Sequence, residues 1–257
     1  MYYFMWIHFV ITRANEVHTI MAMLTDILKF YNIKAHGGDG KVIGQGLIND
    51  TWMIEDTSGN AFILQRVNHS VFKKPYIIDQ NLRLLQVFLN KECPEYVFTS
   101  PISNTCGETL TEVEGNFYRM FHFVPDSHCF DTVQHSEPAY EAAKQFGQFT
   151  SALSHFDTNQ LTPTIIDFHN LALRCDAYYA SKQTADSQRL HLARNCLDII
   201  ETNMNVLETY QAMLLDPEMR LRVCHHDTKI SNVLFDSNGK GMLVMLIPIY
   251  TPNHIIL

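Results

Sequence analysis

The apolar residues change their period part-way along the chain, and this limits the fold more than any other sequence feature. Residues 42–67 read as strands. Val42-Ile43, then Thr51-Trp52-Met53-Ile54-Glu55, then Ala61-Phe62-Ile63-Leu64-Gln65-Arg66-Val67 are rich in β-branched and aromatic residues. They are separated by Gly44–Asp50 and by Asp56-Thr57-Ser58-Gly59-Asn60, clusters that favour turns. A second hairpin is predicted over Thr109–Glu112 and Phe117–Phe123, turned by Glu114-Gly115-Asn116. Between the two hairpins, Ile77, Ile78, Leu82, Leu85 and Leu89 fall at helical spacing. Beyond Pro125-Asp126-Ser127 the period is helical, with long amphipathic segments at 137–156 and 187–214. Near the end, a short strand at Val223-Cys224 leads into the polar loop His225–Ser231. Val233–Phe235 and Met242–Val244 then form a small hairpin around Asp236–Lys240. The expectation is an α+β chain: a strand-rich lobe at 21–120, a linker near 120–127, and a mainly helical lobe at 121–244. A crevice between two lobes is a common ligand site.

Charge and composition exclude several functions. With 19 Lys and Arg against 27 Asp and Glu, the net charge is −8, so no broad basic surface exists for nucleic acid. No stretch approaches the apolar length of a membrane span, which leaves the cytoplasm as the default compartment. The six cysteines form no CxxC pair and read as reduced thiols. The opening Met1–Arg13 is apolar but short and lacks the flanks of a signal peptide; residues 1–20 are expected to lie outside the fold, as is the tail at 245–257.

The chemistry concentrates in His225-His226-Asp227-Thr228-Lys229-Ile230-Ser231-Asn232, which fits H-x-D-x-x-x-x-N. In such a loop a carboxylate takes the proton of an attacking hydroxyl, and an amide oxygen a few residues later can ligate a phosphate-bound metal. A zinc reading of Cys224–Asp227 competes weakly, because adjacent residues rarely converge on one tetrahedral ion. An unrelated hydrolase using His225 and Asp227 lacks a nucleophile elbow or paired carboxylates. Upstream, Gly44-Gln45-Gly46-Leu47-Ile48-Asn49-Asp50-Thr51 is a glycine-rich turn between strands, where backbone N–H groups can approach phosphate oxygens. It is not a Walker A loop, since no G-K-[ST] follows. The third strand offers Gln65 and Arg66 but no lysine, and alternation sends those two to opposite faces. Either one can be the residue that faces the cleft. Asp79 is a candidate acidic partner on the following helix.

In that order, these elements resemble the aminoglycoside phosphotransferase/choline kinase-like superfamily, and within it most closely the N-acetylhexosamine 1-kinase-type sugar kinases. The closer likeness rests on Gly46–Thr51, on Ile63–Asn68 with Val71-Phe72, on Tyr118-Arg119-Met120-Phe121, on Ile165–His169 and on Cys224–Asn232. The resemblance implies a two-lobed protein-kinase-like fold with an incomplete helical lobe. It also implies ATP with Mg2+ as donor and a small hydroxyl compound, such as a sugar or amino-sugar, as acceptor. On this sequence Asp227 would be the catalytic base and Asn232 a magnesium ligand. Gly44, Gly46, Asn49, Thr51 and one of Gln65 and Arg66 would surround the phosphates. Met120 and Phe121 would contact adenine, and His169 with Arg174 would line the acceptor site.

The resemblance also implies a strand ending in Asp-x-Asp, followed by about a hundred more helical residues. Here Met242–Leu257 contains no Asp, Glu, Lys or Arg. Read one base earlier, the degenerate codons for Met245–Ile249 permit Asp-Val-Asp-Thr-Tyr, so a frameshift near codon 244 is expected. The alternative to a working phosphotransferase is a truncated, catalytically silent remnant with nucleotide binding at most.

Overall fold

The structure is a computed structural model that describes residues 24–36, 40–43, 49–133 and 135–244. The expected N-terminal extension, the glycine turn at 44–48 and the tail at 245–257 lie outside the described residues.

Five antiparallel strands form one sheet: β1 (Lys41–Val42), β2 (Asp50–Glu55), β3 (Ala61–Val67), β4 (Thr111–Val113) and β5 (Asn116–His122). Their spatial order is β1-β2-β3-β5-β4. Short-range chemistry sets the turns. In the β2–β3 turn, Asp56 Oδ1 accepts from the backbone N–H groups of Ser58 and Asn60, both at 2.8 Å, and Gly59 supplies a φ of +82°. The β4–β5 turn passes through Glu114 and Gly115, both at positive φ.

The sheet is covered on both faces. On one face Trp52, Ile54, Phe62, Leu64, Tyr118 and Met120 pack against helix α1 (residues 24–29) and Tyr31. On the other, Val67 and Phe117 meet α2 (Pro75–Glu92), which begins with proline at its first position, where no backbone N–H is needed. The expected helix at 76–91 and the two hairpins are therefore present, shifted by one or two residues.

Helix α2 also faces the second half of the chain. Ile78, Leu82, Leu85 and Leu89 share a core with Phe149 of α3 (Ser136–Ala152), with Leu153 that caps its end, and with Phe156, Val223, Val233, Phe235 and Val244. Asn81, fully buried on α2, joins the two halves: its Nδ2 donates to Thr162 O at 2.7 Å and its Oδ1 accepts from Thr162 N at 3.0 Å. Strands β6 (Val233–Phe235) and β7 (Gly241–Val244) form the small hairpin. Its turn repeats the β2–β3 solution, with Asp236 Oδ1 accepting from Asn238 and Lys240 and with Gly239 at φ +75°. Helix α3 holds this hairpin through Gln145 Nε2, which donates to Gly241 O at 2.7 Å.

The structure corrects three expectations about local structure. The segment 187–214 is two helices, α5 (Ser187–Thr202) and α6 (Asn205–Leu215), because the Asn203 amide turns back to donate to Ile199 O and ends the first. A further helix, α4 (Leu171–Thr184), precedes them, capped by Asn170. Cys224 makes an isolated bridge rather than part of a strand. Helices α4–α6 bury no residue, and Leu173, Tyr179, Leu192, Ile199, Val206 and Leu215 are exposed.

Candidate functional site

The polar loop before β6 is fixed from three directions. The His225 side chain is buried, with its ring edge-on to Phe146 and Phe149 of α3. Its Nδ1 accepts the Asp227 N–H at 3.3 Å. Asn232, also buried, ends a 3-10 turn (Ile230–Asn232), and its Nδ2 donates to Asp227 O at 2.7 Å. Both backbone groups of Asp227 are thereby held, while 43% of its side chain remains exposed. A carboxylate on an anchored backbone, open to solvent, suits a group that must meet a substrate. Lys229 Nζ stands 3.4 Å from Asp227 Oδ2. Sequence reasoning passed over Lys229, although it lies inside the motif two residues after the aspartate.

His226 is held at φ +62°, a left-handed conformation uncommon outside glycine and a form of strain that concentrates at functional sites. Its ring stacks on His169, with centroids 4.9 Å apart and planes at 24°. His169 belongs to a second tight loop, in which Asp167 has φ +57° and Asn170 Nδ2 donates to Asp167 Oδ1. The structure thus brings His169 against the Asp227 loop. Arg174 instead closes its own loop, donating from Nη2 to Phe168 O at 2.8 Å.

On the sheet, alternation resolves Gln65 and Arg66. Arg66 leaves on the α1 side, where Nη2 lies 2.6 Å from Asp50 Oδ2. Gln65 faces α2 and stands in a polar row across three strands. Its Nε2 donates to Thr51 Oγ1 at 3.3 Å, and its Oε1 accepts from Arg119 Nε and Nη2 at 2.9 and 2.6 Å. Asn49 is buried, and its Oδ1 accepts the Asn68 N–H, closing the end of β2 onto β3. The Met120 side chain turns into the α1-side core, and its carbonyl accepts from Ile102 N at 2.7 Å. Phe121 lies on the α2 side, its ring centroid 5.2 Å from the Arg119 guanidinium carbon. Gly44 and Gly46 lie outside the described residues.

Among the described residues, no group of three or more His, Cys, Asp or Glu side chains is placed to hold a metal ion. The six cysteines are unpaired thiols. Burial pushes the Cys224 thiol up to about 11, opposed in part by Arg222, so it is a poor nucleophile. No helix among the described residues is long and apolar enough to cross a membrane.

Solved structures share this fold. A spectinomycin phosphotransferase in complex with ADP and spectinomycin superposes with a TM-score of 0.61 at 15% identity, over 90% of this chain and 70% of that one. An amicoumacin kinase in complex with AMP-PNP and Ca2+ gives 0.57 at 9% identity, over 86% and 62%. An aminoglycoside phosphotransferase from Alicyclobacillus acidocaldarius gives 0.54 at 14%, over 88% and 66%. These likenesses establish an α+β kinase-like fold. The sequence profile of the phosphotransferase enzyme family (APH) matches residues 39–244, which include the β-sheet, the polar row and the whole Asp227 loop; the chain belongs to that family of small-molecule kinases.

Proposed function

We propose that this chain transfers the γ-phosphoryl group of ATP to a hydroxyl of a small molecule, with an N-acetylhexosamine or related sugar as the acceptor class. The observation that carries the reading is the Asp227 loop: both backbone groups of the aspartate are anchored, and its carboxylate reaches solvent beside Lys229. Residues 21–120 serve as the nucleotide lobe and 121–244 as the lobe that presents the acceptor. The phosphotransferases of similar fold that hold ADP or AMP-PNP support ATP as donor. The motif blocks Gly46–Thr51, Ile63–Asn68 and Cys224–Asn232 support the sugar class. Six unpaired thiols fit a reducing, cytoplasmic setting.

In this mechanism the acceptor hydroxyl sits against Asp227, which takes its proton as the oxygen attacks the γ-phosphorus in line and the bond to the ADP oxygen breaks. Lys229 lies beside the carboxylate, where developing negative charge is countered. The donor set fits a hard divalent cation at Asn232. Its Nδ2 is committed to the Asp227 carbonyl, which leaves Oδ1 as its remaining acceptor. Magnesium bound there would neutralise phosphate charge. His169, stacked on His226, borders the acceptor, while Arg174 supports that border by holding Phe168 O. Phe121 and the backbone near Met120 flank adenine. Thr51, Gln65 and Asn49 border the phosphates, and the sequence Gly44-Gln45-Gly46 suits backbone N–H contact with them.

A second reading, nucleotide binding without turnover, is favoured by one observation: Met242–Leu257 contains no carboxylate to act as a second metal ligand. The test incubates the protein with Mg-ATP and a panel of N-acetylhexosamines, aminoglycosides, choline and buffer alone, and follows ADP. Acceptor-dependent ADP release that Asp227→Asn lowers by about a hundredfold or more supports the reading. ATP binding with no ADP from any acceptor supports the silent binder instead.

A further inference from the structure

Strand β3 runs Ala61-Phe62-Ile63-Leu64-Gln65-Arg66-Val67, without lysine, and its one cation faces the α1 side, paired with Asp50. The α2 side of the sheet therefore receives no cation from β3, yet it does have one. Arg119, on β5 directly opposite Gln65, is 2% exposed and lines one small cavity with Ile78, Asp79 and Leu82 of α2. Two of its nitrogens fork onto the neutral Gln65 amide, and Nη1 has no hydrogen-bond partner among the described residues. The nearby acid, Asp79, is engaged elsewhere: it accepts from Arg83 Nε at 2.9 Å and from the Thr109 hydroxyl.

A guanidinium this deep, held by a neutral amide, is incompletely compensated, and one partner remains to be supplied. Burial pulls it down to about 10, and Asp79 opposes that only in part. The row Thr51–Gln65–Arg119 crosses the sheet one residue beyond Asn49-Asp50, where the glycine-rich turn rejoins β2. Nη1, with its N–H groups unspent, suits a charge-assisted hydrogen bond to a phosphate oxygen.

We propose that Arg119, delivered from β5, is the cation that binds the nucleotide phosphates, and that Gln65 is its positioning residue. This assignment rests on the phosphotransferase reading above. It replaces the expected third-strand cation with one from the neighbouring strand at the same cross-strand row.

The test titrates wild-type protein, Arg119→Gln and the swap Gln65→Lys/Arg119→Gln with Mg-ATP and, separately, with adenosine, by calorimetry. Loss of a charge-assisted contact should weaken Mg-ATP binding by about tenfold or more in Arg119→Gln and leave adenosine within about twofold. The swap, which moves a cation to the facing position, should regain most of the ATP affinity. Wild-type ATP affinity in Arg119→Gln overturns the assignment alone. So does an equal loss of ATP and adenosine, which marks a purely structural role. Absence of Mg-ATP binding by the wild type overturns the phosphotransferase reading and this assignment together.

Discussion

Asn81 offers the sharpest check on how the two halves of this kinase fold are held together. Its side chain is 0% exposed and makes two hydrogen bonds with one peptide group, donating to Thr162 O and accepting from Thr162 N. At a net value of about 1 kcal/mol per hydrogen bond, losing both in Asn81→Ala costs about 2 kcal/mol. The larger penalty for orphaned buried groups does not apply in full, because Thr162 is an exposed residue and its bonds to Asn81 are only part-buried. Asn81→Asp should be worse. It keeps an acceptor for the Thr162 N–H but sets a carboxylate against Thr162 O with no donor, at a position that is itself fully buried, at a cost of about 3–5 kcal/mol. For a chain of this size, melting should fall by about 4–8 °C in Asn81→Ala, and further in Asn81→Asp. The pH dependence has a definite sign. Burial raises the folded-state pKa of the new aspartate above its unfolded value, so the folded state binds the extra proton. The penalty of Asn81→Asp is therefore full near pH 8 and shrinks as the pH falls towards 5, where the protonated acid can donate to Thr162 O. Thermal unfolding by circular dichroism at both pH values reads all of this. Equal melting of Asn81→Ala and wild type, or a less damaged Asn81→Asp at pH 8, would refute the reasoning.

Arg66→Ala should cost only about 0.2–1 kcal/mol, because its ion pair with Asp50 is solvent-exposed, and it should leave Mg-ATP affinity unchanged, since Arg66 points away from the α2 side. Chemical denaturation and calorimetry check the two parts. Asn232→Ala removes the 2.7 Å bond to Asp227 O and the spare amide oxygen. ATP affinity measured at several Mg2+ concentrations should then depend less steeply on the metal. Leu192→Glu with Leu215→Lys, on helices that bury nothing, should leave the melting temperature unchanged and raise the soluble yield; a drop of several degrees would show that these side chains are packed.

What could be read from the sequence was mostly local. The β2–β3 and β6–β7 turns use the same chemistry, an aspartate that collects the backbone N–H groups of its own turn and a glycine at positive φ, and Asp56–Asn60 and Asp236–Lys240 carry it in consecutive residues. The period of Ile77, Ile78, Leu82, Leu85 and Leu89 is likewise self-contained, and the structure buries all five. Helix α4 was missed for the same reason. It packs nothing into a core, so no apolar stripe marks it, and its start is set by one capping side chain, Asn170. The split of 187–214 depends on a single amide at Asn203 that either a continuing or an ending helix would tolerate.

The candidate site was legible to different depths along the same lines. The Asp227 loop is compact, and its internal bonds join residues two and five apart, so spacing alone carries the chemistry. The proposed phosphate side is not compact: Gln65 and Arg119 are 54 positions apart and meet only through the β3–β5 register. Alternation divides Gln65 from Arg66, but the apolar residues cannot say which face is the α2 side. Leu64 is buried against α1, while Val67 is buried against α2. A sheet covered on both faces erases the apolar-in, polar-out signal that would have chosen. One clue was available. Arg119 is the only charge in Phe117-Tyr118-Arg119-Met120-Phe121, so every placement of that strand buries it unless it has a task. A lone cation in a strand with both faces covered needs an anion from somewhere. The phosphate proposed as the partner of Arg119 would supply it at the face the sheet shares with α2.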